Sequence, residues 1–200
     1  MSTGKAQTSL RKAATKRPGG RTSQVTDRVF DATMTLLEQG GISAVTFQEV
    51  AKQAGVGRAT LYRRWPDPAF LVGDAIAATA AERIQIADTG NFRGDLFAML
   101  KQIGKFIHSP TGRAAIIAGL SGREQSEFAS HARMLWERRR EQVSPIFRRA
   151  KIRGEVANDI DEDALFALAA GALYARMIVM AKPITDAWIE RIIDQLVSAD

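Results

Sequence analysis

Between Thr46 and Trp65 the chain reads TFQEVAKQAGVGRATLYRRW, and this stretch restricts the possible folds more than any other. Thr46 and Glu49 have capping-box spacing: the threonine oxygen accepts from a free helical N–H while the glutamate reaches back to the cap. Val45 and Val50 flank that cap at the staple positions. Phe47, Val50, Ala51 and Ala54 recur at helical spacing and mark a buried face, with Ala51 small where a second helix must cross closely. Gly55 follows where a helix ends in a left-handed residue, a conformation that glycine adopts at little steric cost. Val56 and Leu61 point back into the core, which leaves Gly57, Arg58, Ala59, Thr60, Tyr62 and Arg63 outward. Lys52, Arg58, Arg63 and Arg64 are basic, and no acid falls between Val50 and Pro66. Two short helices on a glycine joint, apolar within and cationic without, describe a helix-turn-helix suited to a DNA major groove.

The plainer alternative is a helical hairpin in an unrelated all-α protein, and the flanking sequence argues against it. Asp67-Pro68 is an N-cap followed by proline at the first helical position, so another helix starts directly after the motif. Upstream, Thr22 or Ser23 can cap a helix whose apolar residues Val25, Val29, Met34, Leu36 and Leu37 run to a Gly40-Gly41 stop. The order is helix, helix-turn-helix, helix.

With those elements in place, residues 22–66 resemble the DNA-binding domain of the TetR family of bacterial transcriptional repressors. The resemblance is carried by GGISAVTFQEVAKQAG and by GVGRATLYRRWPDPAFLV. It implies an all-α fold of about nine helices, in which a three-helix helix-turn-helix domain joins a helical ligand-binding and dimerisation domain. The expected divisions are a basic arm over 1–21, the DNA-binding domain over 22–66 and the regulatory domain over 67–200. By the same resemblance, Thr46 would bond a phosphate, Arg58 and Thr60 would approach base edges beside Gly57, and Tyr62 and Arg63 would reach phosphates. Trp65 would pack beneath the motif. Relatives often place a phosphate-binding lysine at the start of the fourth helix, where this chain has Pro68, so Arg64 or the N-terminal arm would substitute. The implied partners are double-stranded DNA with a palindromic operator, a second copy of the chain and a small effector. A factor that binds DNA without any effector is the alternative.

The charge is unevenly distributed. Six of the 28 basic residues, including Arg17 and Arg21, lie in residues 1–21 with no acid, and the remaining 22 balance the 22 acids. That arm has too few apolar residues to fold alone and is suited to tracking phosphates. Deleting residues 1–20 is expected to weaken DNA binding and flatten its salt dependence, because phosphate contacts release counterions. The arm lacks an apolar h-region and no long uncharged apolar run occurs elsewhere, so neither a secretory signal nor a membrane span is expected. Zero cysteines exclude disulfides and thiol chemistry and agree with a cytoplasmic setting.

Beyond Ala69 the pattern is helical, with no strand-like alternation. Helices are expected over about 68–86, 95–108, 112–120, 123–153 (with Pro145 able to kink it) and 164–181, and a last one after Lys182-Pro183. Ala164 to Ala181 is rich in small residues that permit close helix approach. This segment and the last helix resemble the family's dimer-forming pair, with Leu165, Leu168, Ala172, Trp188, Ile192 and Leu196 as interface residues. One recognition helix binds weakly, whereas two about 34 Å apart read successive major grooves. Met99, Ile103, Phe106, Ile117, Leu120, Phe128 and Trp136 would line a pocket for an apolar or aromatic effector, or for a bulky cation held by aromatics. Catalysis has little support. His108 and His131 stand apart from any acidic cluster, so no metal is expected, and no nucleotide-binding or nucleophile motif appears. No cofactor is expected. The run Arg138-Arg139-Arg140 reads as a solvated helix face and the acids Asp161, Glu162 and Asp163 as helix-start charges.

Overall fold

The computed structural model describes residues 20–121 and 126–197, and the side chains of all of these except 20–22, 119–121 and 126–132. Among the described residues all regular structure is helical. Nine α-helices occur there: α1 (Gly20–Gly40), α2 (Phe47–Ala54), α3 (Arg58–Tyr62), α4 (Pro68–Arg83), α5 (Phe92–His108), α6 (Pro110–Ser121), α7 (Ser126–Ile152), α8 (Glu162–Tyr174) and α9 (Asp186–Val197). A short 3₁₀ turn, Ile42–Ala44, links α1 to α2, and a π-helical turn, Ala175–Val179, extends α8.

Local chemistry sets most of the boundaries. The Glu49 N–H donates to Thr46 Oγ1 at 3.2 Å, as the capping box requires. Gly55 closes α2 at φ 64°, ψ 43°, a left-handed cap, and the Val56 N–H then donates to the Ala51 carbonyl at 3.0 Å. Asp67 starts α4 by accepting from the N–H groups of Ala69 (2.7 Å) and Phe70 (3.3 Å). Asn91 and Asp161 cap α5 and α8, accepting from the Gly94 and Ala164 N–H groups at 2.8 and 2.9 Å. The corner between α5 and α6 depends on Gly112, because a Cβ there would lie 2.0 Å from the Phe106 carbonyl oxygen.

Several expected boundaries move. α1 begins at Gly20, so Thr22 and Ser23 lie inside it, and Ser23 Oγ donates to Asp27 Oδ2 one turn on at 3.4 Å. α4 ends at Arg83 because the chain leaves the helix to bury Ile84 and to let the Gln85 N–H donate to Gln102 Oε1 at 2.7 Å. α5 starts three residues early, at Phe92. α7 passes through Pro145, which removes one internal N–H but does not end the helix. α8 loses regular α-geometry after Tyr174, and Ala181 beyond it takes a positive φ of 51°.

Two apolar clusters organise the helices. The first holds Val29, Leu37, Val45, Phe47, Val50, Leu61 and Trp65 together with Leu71, Val72 and Ala75 of α4 and Ala118 of α6. It therefore reaches past residue 66 and recruits two later helices. The second is built from α5, α7, α8 and α9, with Leu96, Leu100, Ile146, Phe147, Leu173 and Ile193 at its centre. Between the clusters Thr111 at the start of α6 is buried; its hydroxyl donates to Glu38 of α1, while Arg83 Nη1 of α4 donates to Thr111 Oγ1 at 3.4 Å.

Candidate nucleic-acid interface

The outer side of α2 and α3 forms an open cleft of about 490 Å³ lined by Thr46, Phe47, Gln48, Arg58, Tyr62, Pro66, Asp67 and Pro68. Its shape follows from the buried sides of the same helices. Leu61 and Val50 are fully enclosed, which fixes how α3 rotates and turns Arg58 and Tyr62 outward. Tyr62 is 64% exposed, yet its ring meets Phe47 edge-on at 4.8 Å and 80°. The ring is thus braced at one edge, an arrangement that positions a phenol at little entropic cost. Thr46, Arg58 and Arg63 are exposed, and Thr60 is half-buried. Gly57 borders α3, and a Cβ there would touch no other atom of the protein within 4 Å. Asp67 is the one acid lining the cleft, and its Oδ1 takes the two N–H groups that start α4. Pro68 in the first turn of α4 offers neither N–H nor cation to a phosphate.

The charges here are uncommitted. Lys52, Arg58 and Arg63 make no ion pair among the described residues. Arg64 is turned differently: its Nη1 donates to Thr26 Oγ1 of α1 at 2.6 Å and its guanidinium lies 4.7 Å from the centre of the Trp65 ring. It ties α3 to α1 while remaining exposed. Trp65 packs beneath the motif as expected, its Nε1 donating to Asp74 Oδ2 at 2.9 Å. Gln48, exposed on α2, is brought into the cleft beside Thr46 without having been anticipated from sequence. Its signal was its place in the first turn of α2, next to the capping threonine. The side chains of Arg17 and Arg21 lie outside the described residues.

The other expected groups separate. Met99, Ile103 and Phe106 are buried in the second cluster, whereas Ile117 and Trp136 are exposed; the side chains of Leu120 and Phe128 lie outside the described residues. On α8, Leu168 is 64% exposed beside the exposed Ala164, Ala167 and Gly171, while Ala172 is half-buried and Leu165 turns inward. Trp188 and Leu196 of α9 pack partly against the second cluster, and Ile192 is half-buried. The Arg138–Arg140 run is not uniformly solvated, since Arg139 is half-buried with an enclosed Nη2. His108 Nδ1 lies 2.9 Å from the Gly104 carbonyl, a contact within its own helix. The described residues contain no group of three potential metal ligands and no helix long and apolar enough to cross a membrane.

Comparison with known proteins agrees with this layout. Residues 29–71 match the model of bacterial regulatory proteins of the tetR family, and residues 86–196 match the tetracyclin repressor-like C-terminal domain. The HTH-type transcriptional regulator AqdR of Rhodococcus erythropolis is 33% identical over 141 residues, covering 70% of this chain and 68% of the relative. The DNA-binding transcriptional repressor TetR of Mycobacteroides abscessus is 28% identical over 168 residues, covering 82% and 86%. Among solved structures, the TetR family transcription regulator SCO0332 superposes with a TM-score of 0.77 at 26% identity, over 88% of this chain and 98% of that one.

Proposed function

The chain belongs to the TetR family of transcriptional regulators, with a DNA-binding helix-turn-helix at its N-terminal end, and on that premise we propose that it is a cytoplasmic homodimeric repressor released from a palindromic operator by a small apolar or aromatic effector. The observation that carries the reading is the cleft over α2 and α3, where Thr46, Arg58 and Tyr62 converge while Arg58 and Arg63 make no ion pair among the described residues. In this reading Arg58 and Thr60 address base edges beside Gly57, and Thr46, Tyr62 and Arg63 hold phosphates. Gln48 joins them at the mouth of the cleft. Arg64 serves by fixing α3 against α1, so the contact absent at Pro68 falls to the basic arm with Arg17 and Arg21.

Dimerisation is supported by the outer side of α8, where Leu168 stands among alanines and a glycine with exposed Ile178 further along. A face of small residues around one large apolar side chain suits close packing against the same face of a second copy. A repressor among the relatives supports the direction of control. Binding-site selection from genomic fragments with the purified protein tests the whole proposal. Enrichment of a two-fold symmetric site, bound by two chains, is expected, and failure to enrich any site would overturn it.

A further inference from the structure

We infer that Arg139, flanked by Trp136 and Tyr174, is the anion anchor of the effector site, and that the effector is a compact organic acid whose carboxylate it receives. The inference rests on the reading of the chain as an effector-controlled regulator and adds the effector's chemical class. Arg139 lies on α7 with its Nη1 donating to Gln142 Oε1 at 3.1 Å, while its Nη2 is enclosed and has no acceptor among the described residues. No carboxylate pairs with it there. Further along α7, Arg149 also has an enclosed nitrogen without a hydrogen-bond acceptor, Nε, but it has carboxylates beside it: its Nη2 meets Asp95 Oδ2 at 3.0 Å and its Nε lies 3.5 Å from Asp88, while Lys151 meets Glu162 at 2.8 Å. A guanidinium does not discharge itself by losing a proton, so an enclosed nitrogen without an acceptor carries a standing desolvation cost.

The surroundings say what would relieve it. Tyr174 of α8 is the titratable group that faces Arg139: burial holds the guanidinium below its usual range, against the opposing influence of Tyr174. The Tyr174 side chain is part-exposed, yet desolvation of its phenol pushes it up, with Arg139 working the other way, so the phenol stays a neutral donor and supplies no counter-charge. One helical turn before Arg139, Trp136 stacks on Phe166 at 5.2 Å with a 31° tilt, and its Nε1 donates to Asp163 at 3.1 Å. The indole is held in place yet 39% exposed. One turn after Arg139, Val143 is buried. These three residues share one face of α7 by their spacing. The result is a partly exposed indole on α7, a half-buried cation with one nitrogen lacking an acceptor, and a phenolic donor nearby. A planar two-oxygen anion matches a guanidinium edge better than a single-oxygen or neutral group does. A neutral effector would leave Nη2 as it is.

The test compares acids with their neutral amides on the full chain: 1-naphthoate against 1-naphthamide, and decanoate against decanamide, by titration calorimetry. At least one acid is expected to bind about tenfold or more tightly than its amide, and Arg139→Gln should erase that difference while leaving amide binding unchanged. Equal affinities for acid and amide overturn the inference. So does the failure of both acids to bind below about 1 mM. In the free protein Arg139→Met should leave the melting temperature unchanged or raise it, because it removes an unpaired enclosed charge; a marked fall would make Arg139 a structural residue and overturn the assignment. Operator retardation in the same titrations separates the two readings. If an acid binds through Arg139 and the DNA complex persists, release by effector fails and the anion site stands. If the amides release DNA as well as the acids do, effector release stands and the anion site fails.

Discussion

The two apolar clusters are closed by different means. Around the second, ion pairs stitch helix to helix: Arg149 and Arg153 to Asp88 and Asp95, Lys101 to Asp186, and Arg93 to Glu190 and Asp194. Around the first, α2 and α3 are fixed by Phe47, Val50, Ala51 and Leu61, with Thr46 and Gly55 capping the two ends of α2. The reading region therefore keeps Lys52, Arg58 and Arg63 available for phosphates, whereas the regulatory region commits Arg93, Lys101, Arg149, Lys151 and Arg153 to carboxylates. Arg139 differs from those five in being half-buried without a carboxylate partner among the described residues. The same residue type is thus a tether in one place and a free contact in another, and burial with partners decides which.

The sharpest way to break the comparison is to remove the centre of the ion-pair network. Asp95 is fully buried and accepts from the Thr89 N–H (2.6 Å), the Thr89 hydroxyl (2.9 Å) and Arg149. Asp95→Ala leaves Arg149 half-buried without that partner and should cost about 3 kcal/mol in urea unfolding. A loss under about 1 kcal/mol would show the network to be ornamental. The same carboxyl predicts an acid limit. Burial pushes its pKa up, but the Thr89 donors and Arg149 outweigh that and hold it below the usual carboxylate range. A depressed folded-state pKa contributes stability that is present above the unfolded value and lost as pH falls through the folded one. Urea titrations at falling pH should show Asp95→Asn losing less stability than the parent chain in that acid window.

In the reading region the expected effects are on DNA. Arg58→Ala should cost about 1–3 kcal/mol of discrimination and relax preference at one or two positions of a selected site. An unchanged selection profile would remove Arg58 from base reading. Tyr62→Phe should weaken all sequences about equally, read as a parallel shift of retardation curves. Thr46→Ala should cost about 1 kcal/mol of stability through the lost cap and weaken binding as well. Least of all, Lys101→Ala should change stability by under about 1 kcal/mol, since its pair with Asp186 is exposed.

The reading region was legible because its determinants are local. Thr46 and Glu49, Gly55, and the Asp67-Pro68 start all act within a few residues, and the 3.6-residue period separated Leu61 from Arg58 and Tyr62. Arg64 was not legible in this way: its partner Thr26 lies 38 residues away, and only tertiary packing brings it close. Asp95 stands in the first turn of α5, and nothing local shows that α7 delivers Arg149 to it from 54 residues away. On α8 the trouble is composition. A helix apolar on nearly every side gives no period from which to tell Leu165, turned inward, from Leu168, turned outward. The pocket residues suffered the same ambiguity, because a stripe that lines a cavity and one that fills a core have the same spacing.

The buried hydroxyl of Thr111, held between Glu38 and Arg83, bears on how such a protein can be cut and rejoined. A fragment ending near residue 66 would lack Leu71 and Val72 from its core, and even one ending at Arg83 would lack Ala118 and the Thr111 bridge. A chimera that transplants the reader onto a different sensor should therefore carry α4 and inherit, or rebuild, the facing surface of α6. The natural seam for exchange runs through the interior of the molecule and not along a linker.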